Sequence, residues 1–140
     1  MNCTRRDLSL LLGAIVATNA KAQKTVLPSK AYRFEDLTAQ GSAEMRSRQI
    51  LNGQTHTNFT VDLHETELAA GAAPHPPHQH VHEEVLLIRA GTLEVLVAGD
   101  TKTLGAGSVV YFASNQKHGW RNPAREPAQY FVLALGDAQA

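Results

Sequence analysis

Apolar and polar residues alternate along much of the chain, with a period of two. Residues 59–68 place Phe59, Val61 and Leu63 on one face and Thr60, Asp62 and His64 on the other, the pattern of a half-buried strand. Residues 92–98 send Leu93, Val95 and Val97 inward and Glu94 outward. The unbroken run Val85-Leu86-Leu87-Ile88 reads as a strand buried on both faces, as do residues 109–113 and the closing stretch QYFVLAL at 129–135. Turn residues punctuate these runs: Asn52-Gly53, Ala90-Gly91, Gly99-Asp100 and Gly105-Ala106-Gly107. Residues 101–104 are the return strand of the Gly99-Asp100 hairpin. Short strands at regular spacing with Gly-rich turns predict an all-β barrel or sandwich. No internal repeat or second domain is visible.

The N-terminal part reads differently. Residues 23–30 form a loose linker, Tyr32-Arg33-Phe34 an edge strand, and residues 35–49 a polar stretch with a short helical turn. Arg46 and Arg48 share parity on any strand through residues 49–51. They are either two solvated arginines or a pocket wall that attracts an anion. By parity His64 is exposed, and His56 falls in a polar turn. Pro74, Pro76 and Pro77 stiffen the segment before the next strand and bar it from a central strand position.

Residues 1–22 stand outside this fold. Arg5-Arg6 precedes an apolar run at 8–17, and Ala20-Lys21-Ala22 supplies small residues at a cleavage site before Gln23. The run is too short to span a bilayer core of ~30 Å as a helix. The segment resembles a twin-arginine export signal, although Leu8-Ser9-Leu10 departs from the usual pattern and leaves the general secretory route open. Processing would leave no membrane anchor and would remove Cys3, the single cysteine, so no disulfide forms. The whole chain has 13 basic and 13 acidic residues; the signal holds Arg5, Arg6, Lys21 and Asp7, which leaves 10 basic and 12 acidic. No basic patch or reading helix is visible, so no nucleic-acid partner is expected.

The candidate chemistry is concentrated at residues 71–91, GAAPHPPHQHVHEEVLLIRAG, where His75, His78, His80 and His82 precede Glu83 and Glu84. In an extended segment, residues two apart point the same way, so His78 and His80 aim at one point. A continuous strand would carry His78 and Glu84 ~20 Å apart, too far for one ion with bonds of ~2 Å. The chain must therefore turn at Val81-His82-Glu83. That places His82 in the turn and Glu83 outward, and returns Glu84 to the two histidines; alanine at His75, His82 or Glu83 should spare the metal. A second stretch, residues 107–122, offers His118 beyond the strand at 109–113.

These two stretches resemble the motifs of the cupin superfamily. The first family motif is Gly, about five residues, His-x-His, three or four residues, Glu, six residues, Gly; here it is Gly71, His78-Gln79-His80, Glu84, Gly91. The second is Gly, five residues, Pro-x-Gly, two residues, His, three residues, Asn; here it is Gly107, Ala113-Ser114-Asn115, His118, Asn122. Ala113 and Asn115 replace the usual Pro and Gly, and Asn115 can still supply a left-handed turn. The resemblance covers residues 40–136. It implies a single-domain double-stranded β-helix, the jelly-roll cupin barrel, bounded by a linker at 23–39 and a tail at 137–140.

The resemblance also implies one divalent metal ion per chain on His78, His80, Glu84 and His118. Nitrogen and oxygen donors without thiolate admit Mn(II), Fe(II), Ni(II) and Zn(II); folding before export would favour Mn or Fe. The expected partner is a small-molecule substrate or ligand, and the expected assembly a homodimer that uses the apolar terminal strand. The function expected is a metal-dependent enzyme, dioxygenase- or isomerase-like. The alternative is a non-catalytic metal-dependent small-molecule or sugar binder. His75 and Tyr111 are the candidates for an acid or base, Tyr111 doubling as a core residue.

Overall fold

Most of the alternating runs become strands, and their pairing closes a barrel. The computed structural model describes residues 26–137; the signal-like segment, Cys3 and the last three residues of the tail lie outside them. The strands are β1 (Gln40–Gly41), β2 (Met45–Gln54), β3 (Thr60–Leu68), β4 (Glu83–Ala90), β5 (Thr92–Val97), β6 (Asp100–Gly105), β7 (Val109–Phe112), β8 (Gly119–Arg121) and β9 (Ala128–Leu135). They form a six-stranded sheet, β1-β2-β3-β9-β4-β7, and a three-stranded sheet, β6-β5-β8. All pairings between strands are antiparallel. The fold is an all-β, single-domain jelly roll.

The core fills one end of the space between the sheets. Leu68, Ile88 and Leu93 are fully buried there, with Val95 and Phe112 beside them. The chain passes from one sheet to the other between β4 and β5 in one step, at Gly91. Its φ is +78°, and a Cβ there would lie 2.9 Å from the Ala128 Cα and the Pro127 carbonyl oxygen. Only glycine combines that backbone with that approach.

Several local expectations are corrected. Asn52-Gly53 is not a turn: both lie inside β2, with Gly53 paired to Val61 and buried. The turn comes after Gln54, where Asn58 takes φ 62° and its N–H bonds the Thr55 carbonyl. Asn52 instead spends its side-chain amide on Asp62. The hairpin after β5 turns on Ala98 and Gly99, both left-handed, one residue earlier than expected. Tyr32-Arg33-Phe34 forms no edge strand. A short 3-10 turn spans Phe34–Asp36, and the Phe34 ring lies between the guanidinium groups of Arg48 and Arg89, each 4.6 Å from its centroid.

Arg46 and Arg48 line no pocket and do not stand free. They lie on the outer face of the six-stranded sheet and bridge Glu67 and Glu65 on β3, each at 2.9 Å. Arg48 is mostly covered and Glu65 fully buried. Tyr111 is neither core nor site: it sits on the same outer face, 57% exposed.

The family asparagine, Asn122, acts as a brace. It is fully buried; its amide donates to the carbonyls of Leu68, Ala69 and Glu126, and its oxygen accepts from the Ala124 N–H. Alanine there strands several buried polar groups. Asn122→Ala should therefore lower stability by about 2–3 kcal/mol, read as a lower urea midpoint with unchanged slope.

Candidate metal centre

The two motifs meet through the backbone. His78 N–H bonds the His118 carbonyl at 2.9 Å, and His118 N–H bonds the His78 carbonyl at 2.8 Å. Two residues on, the Asn115 N–H bonds the His80 carbonyl at 2.7 Å. Asn115 is left-handed, φ 59°, which turns its N–H toward that carbonyl. Gly119 lets the chain pass tightly, since a Cβ there would lie 3.0 Å from the Pro77 Cα. The chain then bends at residues 81–82, and β4 begins at Glu83. Glu83 pairs with Leu135 on the outer side, and Glu84 points into the barrel between Ala134 and Phe112.

Imidazoles converge on the Glu84 carboxylate. Oε2 is 3.3 Å from His118 Nε2, and Oε1 is 3.5 Å from His80 Nε2. Donors bonded to one ion at ~2.1 Å lie about 3.0–3.4 Å apart in octahedral or tetrahedral geometry. One donor atom each from His78, His80 and His118 falls within 4.8 Å of the others, and the same holds for His80, His82 and Glu84. The two groups share His80. His82 does not remain outside in the turn: its ring stacks on His80 at 3.6 Å between centroids, and its Nε2 is 3.4 Å from Glu84 Oε1.

Hydrogen bonds set the tautomers. His80 Nδ1 bonds the His82 carbonyl at 2.8 Å, and His118 Nδ1 bonds the Gln116 carbonyl at 2.7 Å. A carbonyl only accepts, so both Nδ1 atoms carry a proton, and in the neutral imidazole each Nε2 keeps a lone pair for a metal. Those two Nε2 atoms and Glu84 Oε2 are buried and have no hydrogen-bond partner. Lone pairs facing a carboxylate need a cation between them. The chemistry of this donor set fits a divalent metal held by N and O ligands.

Beside Glu84 lies a cavity of about 250 Å³, whose walls include Ser47, His64, Thr66, His75, Trp120 and Tyr130. Neither lysine nor arginine lines it. Burial, above all, pushes the Tyr130 phenol up to about 12, so it remains a neutral hydrogen-bond donor. His64 is not on the solvent side of β3. Together with Asp62 and Thr66 it faces the barrel, and Val61 and Leu63 face out. Parity on β3 was legible; its sense was not, because each face mixes polar and apolar residues. His64, placed on the solvent face by the sequence, and Tyr130, which it did not single out, both line this cavity.

Residues 64–134 match the family model described as a cupin domain. The chain belongs to the cupin domain family. Solved structures of several proteins share its fold. An RmlC-like cupin from Shewanella frigidimarina is 18% identical, with 82% of this chain and 95% of that one covered at a TM-score of 0.67. KdgF from a Halomonas species is 15% identical, with 77% and 95% covered at 0.67. The DMSP lyase DddQ from Ruegeria pomeroyi reaches 32% identity over 57% of this chain and 40% of that one, at 0.51. A search of curated proteins finds no match.

One pH dependence follows for this cupin. Burial, then the imidazoles of His75, His118 and His80, push His78 below its ordinary value of 6.5, against an upward pull from Glu84. Between the folded value and 6.5 the unfolded chain binds more protons than the folded one. Stability of the metal-stripped protein should therefore rise with pH across that window and level off above it. His78→Gln should make the rise shallower, as urea denaturation over a pH series would show.

Proposed function

We propose that this cupin binds one divalent metal through His78, His80, Glu84 and His118 and uses it to act on a small organic molecule. The observation that carries the reading is the pair of buried Nε2 atoms, on His80 and His118, that face the Glu84 carboxylate and have no hydrogen-bond partner among the described residues. The metal would supply Lewis acidity or a redox centre. Mn(II) or Fe(II) is favoured, with Ni(II) and Zn(II) also admitted by the donor set. With no lysine or arginine in the cavity wall, the metal would be its positive charge, so an anionic or ionisable group of the ligand belongs on the metal. Trp120, Tyr130 and Thr66 would receive the remainder of the molecule. His82, stacked on His80 and reaching Glu84, would hold the ligands in place.

The ligand set is checked by metal per chain after purification in matched metal. Alanine at His78, His80, Glu84 or His118 should lower it severely, and His82→Ala should weaken affinity about tenfold, the scale of losing a group that orients a ligand. Retention of full metal by both His80→Ala and His118→Ala would reject the site. Turnover is checked by oxygen uptake of the Fe(II)- or Mn(II)-loaded protein across catechols, flavonols and keto acids. Silence, together with tight ligand binding by calorimetry, would make it a binder instead.

We place the mature protein outside the cytoplasm, on the strength of Arg5-Arg6 and Ala20-Lys21-Ala22; lysine at both arginines should strand the precursor inside, seen by cell fractionation. We also propose a homodimer through the outer face of β9, β4 and β7. Leu87, Val109 and Tyr111 are 40%, 58% and 57% exposed there, an apolar surface suited to a second copy. Light scattering should report a dimer at micromolar concentration and a shift toward monomer in Leu87→Glu.

A further inference from the structure

The wall of the cavity beside Glu84 carries an imidazole, His64, backed by an acid, Asp62, and the metal reading leaves both unused. Asp62 and His64 are two residues apart on β3, so both face the barrel. Asp62, Ala134 and Glu84 lie abreast on β3, β9 and β4. With strands ~4.8 Å apart, the backbones of Asp62 and Glu84 are about 10 Å from each other. The small Ala134 stands between them. His64 lines the same cavity as Glu84.

Asp62 is a built anion. It accepts from both nitrogen-bearing neighbours on β2, the Gln49 amide at 3.3 Å to each oxygen and the Asn52 amide. His64 Nδ1 is 3.3 Å from its Oδ1. The His64 bond first, then those of Gln49 and Asn52, hold Asp62 below the ordinary carboxylate value against the effect of burial. An ionised Asp62 can only accept, so His64 Nδ1 carries the hydrogen, and in the neutral imidazole Nε2 keeps the lone pair. Ser47 on β2 also lines the cavity, and the other titratable groups there are Glu84 from β4, Tyr130 from β9 and His75 from the preceding loop.

The geometry points to His64 as the proton acceptor of this site, with Asp62 as its positioning residue, acting on a molecule held at the metal. This rests on the metal-dependent reading above. In the step, an O–H or C–H bond of the bound molecule breaks and its electron pair stays on that molecule. The proton forms an N–H bond at His64 Nε2, and the resulting imidazolium sits beside Asp62. The ligand class is a small weak acid, a phenol, enol or hydroxy acid, whose ionisation completes its hold on the metal.

Two measurements decide this. In long-range ¹H–¹⁵N spectra of the metal-free protein, His64 should show the Nδ1–H tautomer, and Asp62→Ala should abolish that preference. A wild-type proton on Nε2 would overturn the pairing whether or not metal binds. The second uses Zn(II)-loaded protein with 4-nitrocatechol, whose absorbance reports loss of its last proton. The midpoint should rise by about one pH unit, a tenfold change in ionisation constant, in His64→Gln, and by less in Asp62→Ala. Zinc per chain should stay at the wild-type value in both variants. Equal midpoints in wild type and His64→Gln would overturn the role, as would loss of zinc in His64→Gln. A wild-type chain that takes up no zinc would instead refute the metal reading, with the tautomer still deciding the pair.

Discussion

Two main-chain hydrogen bonds, exchanged between His78 and His118 at 2.8 and 2.9 Å, hold the site together. His78 stands in the proline-rich loop before β4 and His118 at the entry to β8. Nothing in local propensity brings them into contact; the barrel does, and this bridge fixes their register. It also fixes what the side chains can be. His80 and His118 each give their Nδ1 proton to a main-chain carbonyl, so in the neutral imidazoles the Nε2 atoms facing Glu84 have no proton to donate. The scaffold holds lone pairs against lone pairs, an arrangement that favours a cation over protein partners.

The polarity of the barrel interior changes along its length. Leu68, Ile88, Leu93 and Phe112 make a dry end; Ser47, Asp62, His64, Thr66, Glu84 and the histidines make a polar end. The outer face of the large sheet is the inverse, with Val61, Leu63, Leu87 and Leu133 turned outward. A strand such as β3 therefore cannot follow one rule. Thr66 and Leu68 share an inward face, one beside the cavity and one in the core. The outward Glu65 is more buried than the inward His64, because Arg48, itself under Phe34, covers it.

That change of rule explains which parts of the sequence were legible. Six of the strands, β3 to β7 and β9, the turn at Gly91 and the turn that returns Glu84 to His80 could be read from period, glycine and reach. They depend on local geometry and on two short motifs. The sense of β3 could not, since assigning the apolar face inward assumes that the interior is apolar where β3 passes, and at the barrel mouth it is not. His82 failed for a different reason. Reach required a turn there, and a turn residue is ordinarily turned away; here the turn is tight enough that its imidazole stacks on His80. Asn52-Gly53 has the composition of a turn, but tertiary pairing with Asp62 and Val61 kept it in β2.

A cluster of unsatisfied donors and acceptors costs stability before anything binds, and the cost is borne away from the cluster. Asn122 ties the loop after β8 to the end of β3 and the following residue through two carbonyls. The Ala72 carbonyl accepts from the Asn122 N–H, so the same residue pins the start of the loop that carries the histidines. Phe112 stacks on His118 at 4.4 Å and links the most buried imidazole to the core. These contacts anchor the two loops to the barrel and add to the direct bridge between His78 and His118. They also separate two demands that would otherwise conflict. The ligands need fixed positions, set by backbone pairing and core stacking. The cavity beside them needs open space and polar walls, which Ser47, His64 and Thr66 supply from β2 and β3.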